Sequence, residues 1–90
     1  MLNAKYTNKF KKDYKLIQKR GYNIEKLKTV VAMLCAEETL PEKYKDHQLG
    51  GDYTGYRECH IEPDWLLVYK VENQDLLLVL SRTGTHSDLF

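Results

Sequence analysis

Apolar residues recur along this chain in two rhythms, and the change between them divides it near the middle. Phe10, Tyr14 and Ile17 fall at helical spacing. Thr7 before them is suited to accept from a backbone N–H and cap a helix, and Gly21 after them supplies the residue on which such a helix ends. Ile24, Leu27, Val31 and Leu34 repeat the pattern at i, i+3, i+7 and i+10, and Val30 and Cys35 widen the stripe, which predicts a second helix beginning near Asn23. The two helices are expected to form a hairpin. Leu2 to Tyr6 reads as a short opening strand. Past Pro41, the polar stretch from Glu37 to Asp46 and the turn signal Gly50-Gly51, the period falls to two. Tyr53 to Ile61 suits a strand, Pro63 interrupts, and Trp65 to Val71 is a nearly continuous apolar run that reads as a central strand. Glu72 to Asp75 is a turn, and Leu76 to Leu80 reads as a last strand buried on both faces. The order of strand, two helices and three strands indicates an α+β fold, with the helices on one face of a largely antiparallel sheet.

Composition bounds what such a fold can be. Ninety residues make one small domain, 1–90, near the size at which a single core manages without staples, so a two-domain enzyme is excluded. Hydrophobic residues at 42% and charged residues at 30% exclude a disordered chain. No apolar run approaches the roughly 20 residues of a membrane span, and Met1 to Tyr14 is too polar for a signal peptide, so the expected location is cytoplasmic. Cys35 and Cys59 fit no disulfide or zinc framework and are read as buried small apolar side chains.

Charge changes the picture once the chain is halved. Residues 1–45 carry eleven Lys or Arg against five acids, whereas residues 46–90 carry three against eight, so an overall charge of +1 hides halves of +6 and −5. Lys11, Lys12, Lys15 and Lys19 lie on the polar faces of the first helix. A cationic face of this kind suits an anionic partner or is simply solvated.

The acidic half carries the chemistry. All three histidines, His47, His60 and His86, lie there, each near a turn or a strand end. Alternation puts Tyr56, Glu58 and His60 on one face of their strand and Arg57, Cys59 and Ile61 on the other. Neighbouring strands would gather His60, Asp64 and the segment from Arg82 to His86 at one end of the sheet. Two imidazoles can divide the roles of general base and general acid near neutral pH without a metal. Cleavage of RNA by its own 2′-hydroxyl uses both and yields a 2′,3′-cyclic phosphate. Arginine matches phosphate oxygens, and Arg82, close in sequence to His86, is preferred over Arg57, which alternates away from His60. The residues alone leave other readings open. A histidine at a strand end is commonly a surface group, Trp65 and Phe90 are commonly packing residues, and a metal site is disfavoured because the spacing matches no zinc motif.

The segments His47-Gln48-Leu49-Gly50-Gly51, Gly55 to Tyr69 and Arg82 to Phe90 resemble the YafQ branch of the RelE/ParE toxin superfamily, over nearly the whole element order. The resemblance implies a toxin of a type II toxin–antitoxin module, a ribosome-dependent endoribonuclease that cuts messenger RNA in the A site and needs no metal or other cofactor. It implies a functional set of His47, His60, Asp64, Trp65, His86 and Phe90. In that set His86 is the general acid, and the base comes from the group of His60, Asp64 and His47. Trp65 and Phe90 would hold the RNA, with Arg82 added from the residue reading to steady the phosphate. Tyr53 departs from the pattern, since relatives often carry Trp there, but an aromatic ring is kept. The implied partners are the ribosome, its messenger RNA and a cognate antitoxin with a ribbon-helix-helix DNA-binding segment. The basic first helix would then face ribosomal RNA. Two other classes compete: a non-catalytic ParE-like toxin or binding module acting on a protein target, and a DNA-binding or structural protein whose basic helix meets phosphates.

Overall fold

A computed structural model describes all 90 residues. The chain runs through β1 (Asn3–Tyr6), α1 (Asn8–Lys19), α2 (Ile24–Cys35), β2 (His47–Gln48), β3 (Arg57–Glu62), β4 (Trp65–Glu72), β5 (Leu77–Gly84) and α3 (His86–Leu89), with single 3-10 turns at Glu42–Tyr44 and Gly51–Tyr53. The strands form one sheet in the order β1-β5-β4-β3-β2. Only the β1–β5 pairing is parallel. The expected α+β architecture is therefore present.

Local chemistry sets the helix ends where the sequence placed them. Thr7 Oγ1 accepts from Phe10 N at 3.1 Å and donates to the Ser81 carbonyl at 2.9 Å, so one hydroxyl both caps α1 and ties its start to β5. Asn23 caps α2 by accepting from Glu25 N. Gly21 sits at φ 77°, beyond the reach of most side chains, and turns the chain between the two helices.

The sheet has two apolar faces of unequal size. Fourteen buried residues, among them Phe10, Ile17, Leu27, Val30, Leu67, Leu78 and Leu80, fill the space between helices and sheet. Complete burial of one such Leu or Val stabilises the fold by about 1.5–3 kcal/mol. On the opposite face Leu66, Val68 and Leu89 form a small second cluster, flanked by Leu49, Tyr53 and Tyr56. That face carries the histidines. No helix is long and apolar enough to cross a membrane.

Several expectations need correction. The strand expected from Tyr53 begins at Arg57, because Gly51 (φ 60°) and Gly55 (φ 94°) bend the preceding segment into turns. The last strand runs on to Gly84, four residues past Leu80, where polar residues conceal it. β2 and α3 escaped the periodicity because they are only two and four residues long. Cys59 is fully buried, but Cys35 is only half-buried at the end of α2. Burial pushes the Cys59 thiol up to about 12, which keeps it protonated and inert.

Candidate functional site

The sheet's second face gathers four of the seven expected site residues at one end. Pro63 and Asp64 make the turn between β3 and β4, and His60 stands on β3 just before it. His86 opens α3, and its ring centre lies 6.0 Å from that of His60. His86 Nδ1 is 3.9 Å from Asp64 Oδ1, too long for a hydrogen bond, and both side chains are exposed. Phe90 is largely exposed, with its ring centre 6.2 Å from His86 and 5.4 Å from Tyr53.

α3 is short, so its position depends on polar ties. Thr85 Oγ1 accepts from Asp88 N, and the Asp88 carboxylate accepts from Thr85 N at 2.9 Å, a capping box around the single turn. Arg20, at the end of α1, donates to both Asp88 oxygens at 2.6 and 3.1 Å. The hydrogen bond from Arg20, followed by that from the Thr85 backbone, holds the Asp88 carboxyl well below the usual carboxylate range. Gly84 precedes this turn at φ 150°, and a Cβ there would stand 2.8 Å from Asp88 Oδ2. His86 and Phe90 are thus held by a chain of contacts from α1 through Asp88.

The two facing histidines have different surroundings. His60 Nδ1 lies 3.2 Å from the Pro63 carbonyl oxygen, an acceptor, so the neutral ring keeps its proton on Nδ1 and presents a lone pair at Nε2. His60 also borders a cavity of about 540 Å³ with Lys26, Lys43 and Lys45 on its walls. Lys26 is paired with Glu62 at 3.1 Å, and Lys43 lies over the Tyr44 ring.

His47 is on the same face, but beside Glu58. β2 pairs His47 with Glu58, and Nε2 lies 3.2 Å from Glu58 Oε2. Glu58 is one strand repeat from His60, roughly 7 Å along the sheet. Alternation places Glu58 on this face without marking it as a site residue, because a carboxylate in an alternating strand looks solvent-facing.

Arg82 is half-buried at the β5 edge. Its Nε and Nη2 donate to Asp13 at 2.7 and 3.1 Å, leaving Nη1 without a protein partner. Asp13 is itself buried and also accepts from Thr83 N at 3.1 Å, taking up a strand donor that the short β1 does not reach. The hydrogen bonds to Asp13 raise the Arg82 guanidinium further above its ordinary value. Arg57 faces the other side, paired with Asp46 at 3.2 Å, as alternation required.

Trp65, expected to hold the RNA, lies in the core. It is 2% exposed, packs edge-on against Tyr22 at 4.9 Å and donates through Nε1 to Thr83 Oγ1 at 2.9 Å. The ring belongs to the helix-side core, on the face opposite the histidines, and cannot stack on a base. Tyr53 and Tyr56 supply the aromatic surface of the site instead, their ring centres 6.2 Å apart and Lys70 Nζ 5.6 Å from the Tyr56 ring. No group of three or more His, Cys, Asp or Glu side chains is drawn together closely enough to hold a metal ion.

Paired imidazoles in unlike surroundings, with a carboxylate beside one and cations and tyrosines around them, give this small α+β protein a polar face with groups suited to acid–base chemistry. Comparison with known proteins makes the assignment specific. The family model described as "Bacterial toxin of type II toxin-antitoxin system, YafQ" matches residues 2–90. The mRNA interferase toxin YafQ of Escherichia coli K12 is 48% identical over 86 residues, covering 94% of this chain and 91% of that protein. A metal-bound toxin from Helicobacter pylori superposes with a TM-score of 0.95 at 46% identity, covering all of both chains. An Escherichia coli DinJ–YafQ complex superposes at 0.90 with 45% identity, covering 100% of this chain and 99% of that one. The chain belongs to the YafQ family of bacterial toxins.

Proposed function

We infer that this protein is an mRNA interferase, acting as a single domain over residues 1–90 and cutting messenger RNA in the ribosomal A site. The facing of His60 and His86 across 6.0 Å, one beside a backbone carbonyl and the other beside a carboxylate, carries the reading.

The reaction runs through the substrate's own 2′-hydroxyl. His60 Nε2, its lone pair exposed by the proton on Nδ1, takes the 2′-OH proton. The freed oxygen attacks the adjacent phosphorus. His86, in its protonated form, donates a proton to the departing 5′-oxygen, leaving a 2′,3′-cyclic phosphate and a 5′-hydroxyl. Arg82 Nη1 meets the charge that develops on the phosphorane, and Asp13 fixes the direction of that donor. Lys26, Lys43 and Lys45 offer the RNA backbone a cationic approach to His60, while Phe90, Tyr53 and Tyr56 give bases an aromatic surface.

Partners follow from the two remaining surfaces. The lysines of α1 suit the phosphates of ribosomal RNA, and the reading puts the protein's action in the cytoplasm, where ribosomes are met. Between α1 and α2 the chain leaves an apolar cavity of about 730 Å³, floored by Phe10, Leu27 and Leu80 and edged by Lys11, Lys15 and Lys28. An acidic amphipathic segment of a cognate antitoxin fits this groove. The same lysines would then be unavailable to ribosomal RNA. The antitoxin's remaining segment, of the ribbon-helix-helix type, would bind DNA. The Escherichia coli DinJ–YafQ complex supports a cognate antitoxin as partner.

The test is cleavage of messenger RNA on programmed ribosomes with mapping of both new ends. The wild type should give a cyclic phosphate upstream and a 5′-hydroxyl downstream, and His60→Ala and His86→Ala should each lose cleavage by a factor of about a hundred or more. Inhibition of translation with intact transcripts would instead favour the non-catalytic ParE-like alternative.

A further inference from the structure

Glu58 is buried on the site face with one oxygen left over. Its side chain is 6% exposed, and Oε1 is the sole buried side-chain oxygen or nitrogen without a hydrogen-bond partner. Oε2 makes a single contact, to His47 Nε2 at 3.2 Å. The opposite ring nitrogen of His47, Nδ1, lies 2.9 Å from the Lys45 carbonyl oxygen.

The donors and acceptors around His47 dictate its protonation. A carbonyl oxygen only accepts, so Nδ1 carries a proton. A neutral imidazole has no second N–H, and the Nε2 lone pair of this half-exposed ring would then face an oxygen of the buried carboxylate, acceptor against acceptor. A second proton on the ring turns that clash into a charge-assisted hydrogen bond and gives the buried carboxylate its counter-charge. Nothing else supplies one. Arg57 and Asp46 neutralise each other on the opposite face beside Tyr69, and Lys70 lies over Tyr56 with Glu72 at 3.5 Å.

We propose that Glu58 is a positioning residue that holds His47 as an imidazolium, so that His47 stands beside the site as a fixed positive charge and not as a proton acceptor. The catalytic consequence rests on the RNA-cleaving reading; the protonation state does not. With His47 withdrawn from the group that can supply the base, His60 and Asp64 are left beside the acid His86. The charge on His47 sits on β2 across from Glu58, itself one strand repeat from His60, and adds a cation to the face that receives the RNA backbone.

Two measurements test this. In the 15N-labelled wild type, two-bond proton–nitrogen correlation spectra should show both ring nitrogens of His47 protonated from pH 6 to 8. In Glu58→Gln the ring should titrate near the free imidazole value of about 6.5. Single-turnover cleavage by Glu58→Gln on programmed ribosomes should stay near wild type below that pH and fall at least tenfold by pH 8. A single protonated nitrogen on wild-type His47 at pH 7 overturns the proposal. So does a Glu58→Gln rate loss that is equal at every pH, which would mark a merely structural residue. A wild type that cuts nothing would sink the RNA-cleaving reading, and the nitrogen spectra would still decide the protonation.

Discussion

Trp65 shows how a side chain can belong to a functional pattern through the core. Its ring fills space against Tyr22, and its N–H satisfies Thr83, whose own hydroxyl donates to the Leu66 carbonyl at 2.8 Å. Trp65→Ala should cost about 3–5 kcal/mol, read as a lowered denaturation midpoint, with cleavage surviving in whatever fraction stays folded. The apolar run from Trp65 to Val71 has no period that tells one face from the other, so residue type alone speaks for this position. Alternation is informative on β3, where polar and apolar residues differ, and it puts His60 and Glu58 opposite Cys59 and Ile61 as found. Asp13 is legible in principle, since it lies at helical spacing between Phe10 and Ile17 inside a buried stripe. Asp13→Ala should destabilise by about 3 kcal/mol in chemical denaturation, because it strands a half-buried guanidinium and the Thr83 N–H.

At the scale of elements, α3 is one helical turn whose place is fixed by Asp88. Because its carboxyl is held well below the ordinary value, the ion pair with Arg20 is fully formed above the usual carboxylate pKa of about 3.9 and is lost only as pH falls through the lower, folded value. Carbon-detected titration should therefore find Asp88 still ionised at pH 3. In Arg20→Ala its midpoint should move up toward the ordinary value and the His86 resonances should broaden. Gly84→Ala acts on the same joint from the strand side. Its Cβ collides with Asp88 and the residue must hold φ 150°, a cost of about 1–3 kcal/mol that should appear as weakened protection of the α3 amides and reduced cleavage. These ties join residues distant in sequence, which explains why the chain's periodicity reveals neither α3 nor its anchor.

Over the whole molecule, one sheet separates two tasks. The helix side buries the core and presents lysines and the apolar groove, while the other side carries the histidines. Helices, central strands and fold class are legible because burial imposes period and composition on long segments. The site is legible only as a set of residue types, since the hydrogen bonds that assign roles to His47 and His60 run to backbone carbonyls that no side-chain pattern records. Replacing Lys11, Lys12, Lys15 and Lys19 with Gln should flatten the dependence of ribosome binding on salt, by about 0.7 in log–log slope for each phosphate that the variant no longer neutralises, while leaving the melting temperature nearly unchanged.

The division of labour between the two facing imidazoles is tested most directly by a messenger RNA whose scissile 5′-oxygen is replaced by sulfur, a leaving group that needs no proton. On ribosomes programmed with it, His86→Ala should regain cleavage to within about tenfold of wild type, and His60→Ala should remain inactive. Recovery of His60→Ala with His86→Ala still inactive would reverse the roles, and recovery of neither would contradict the account.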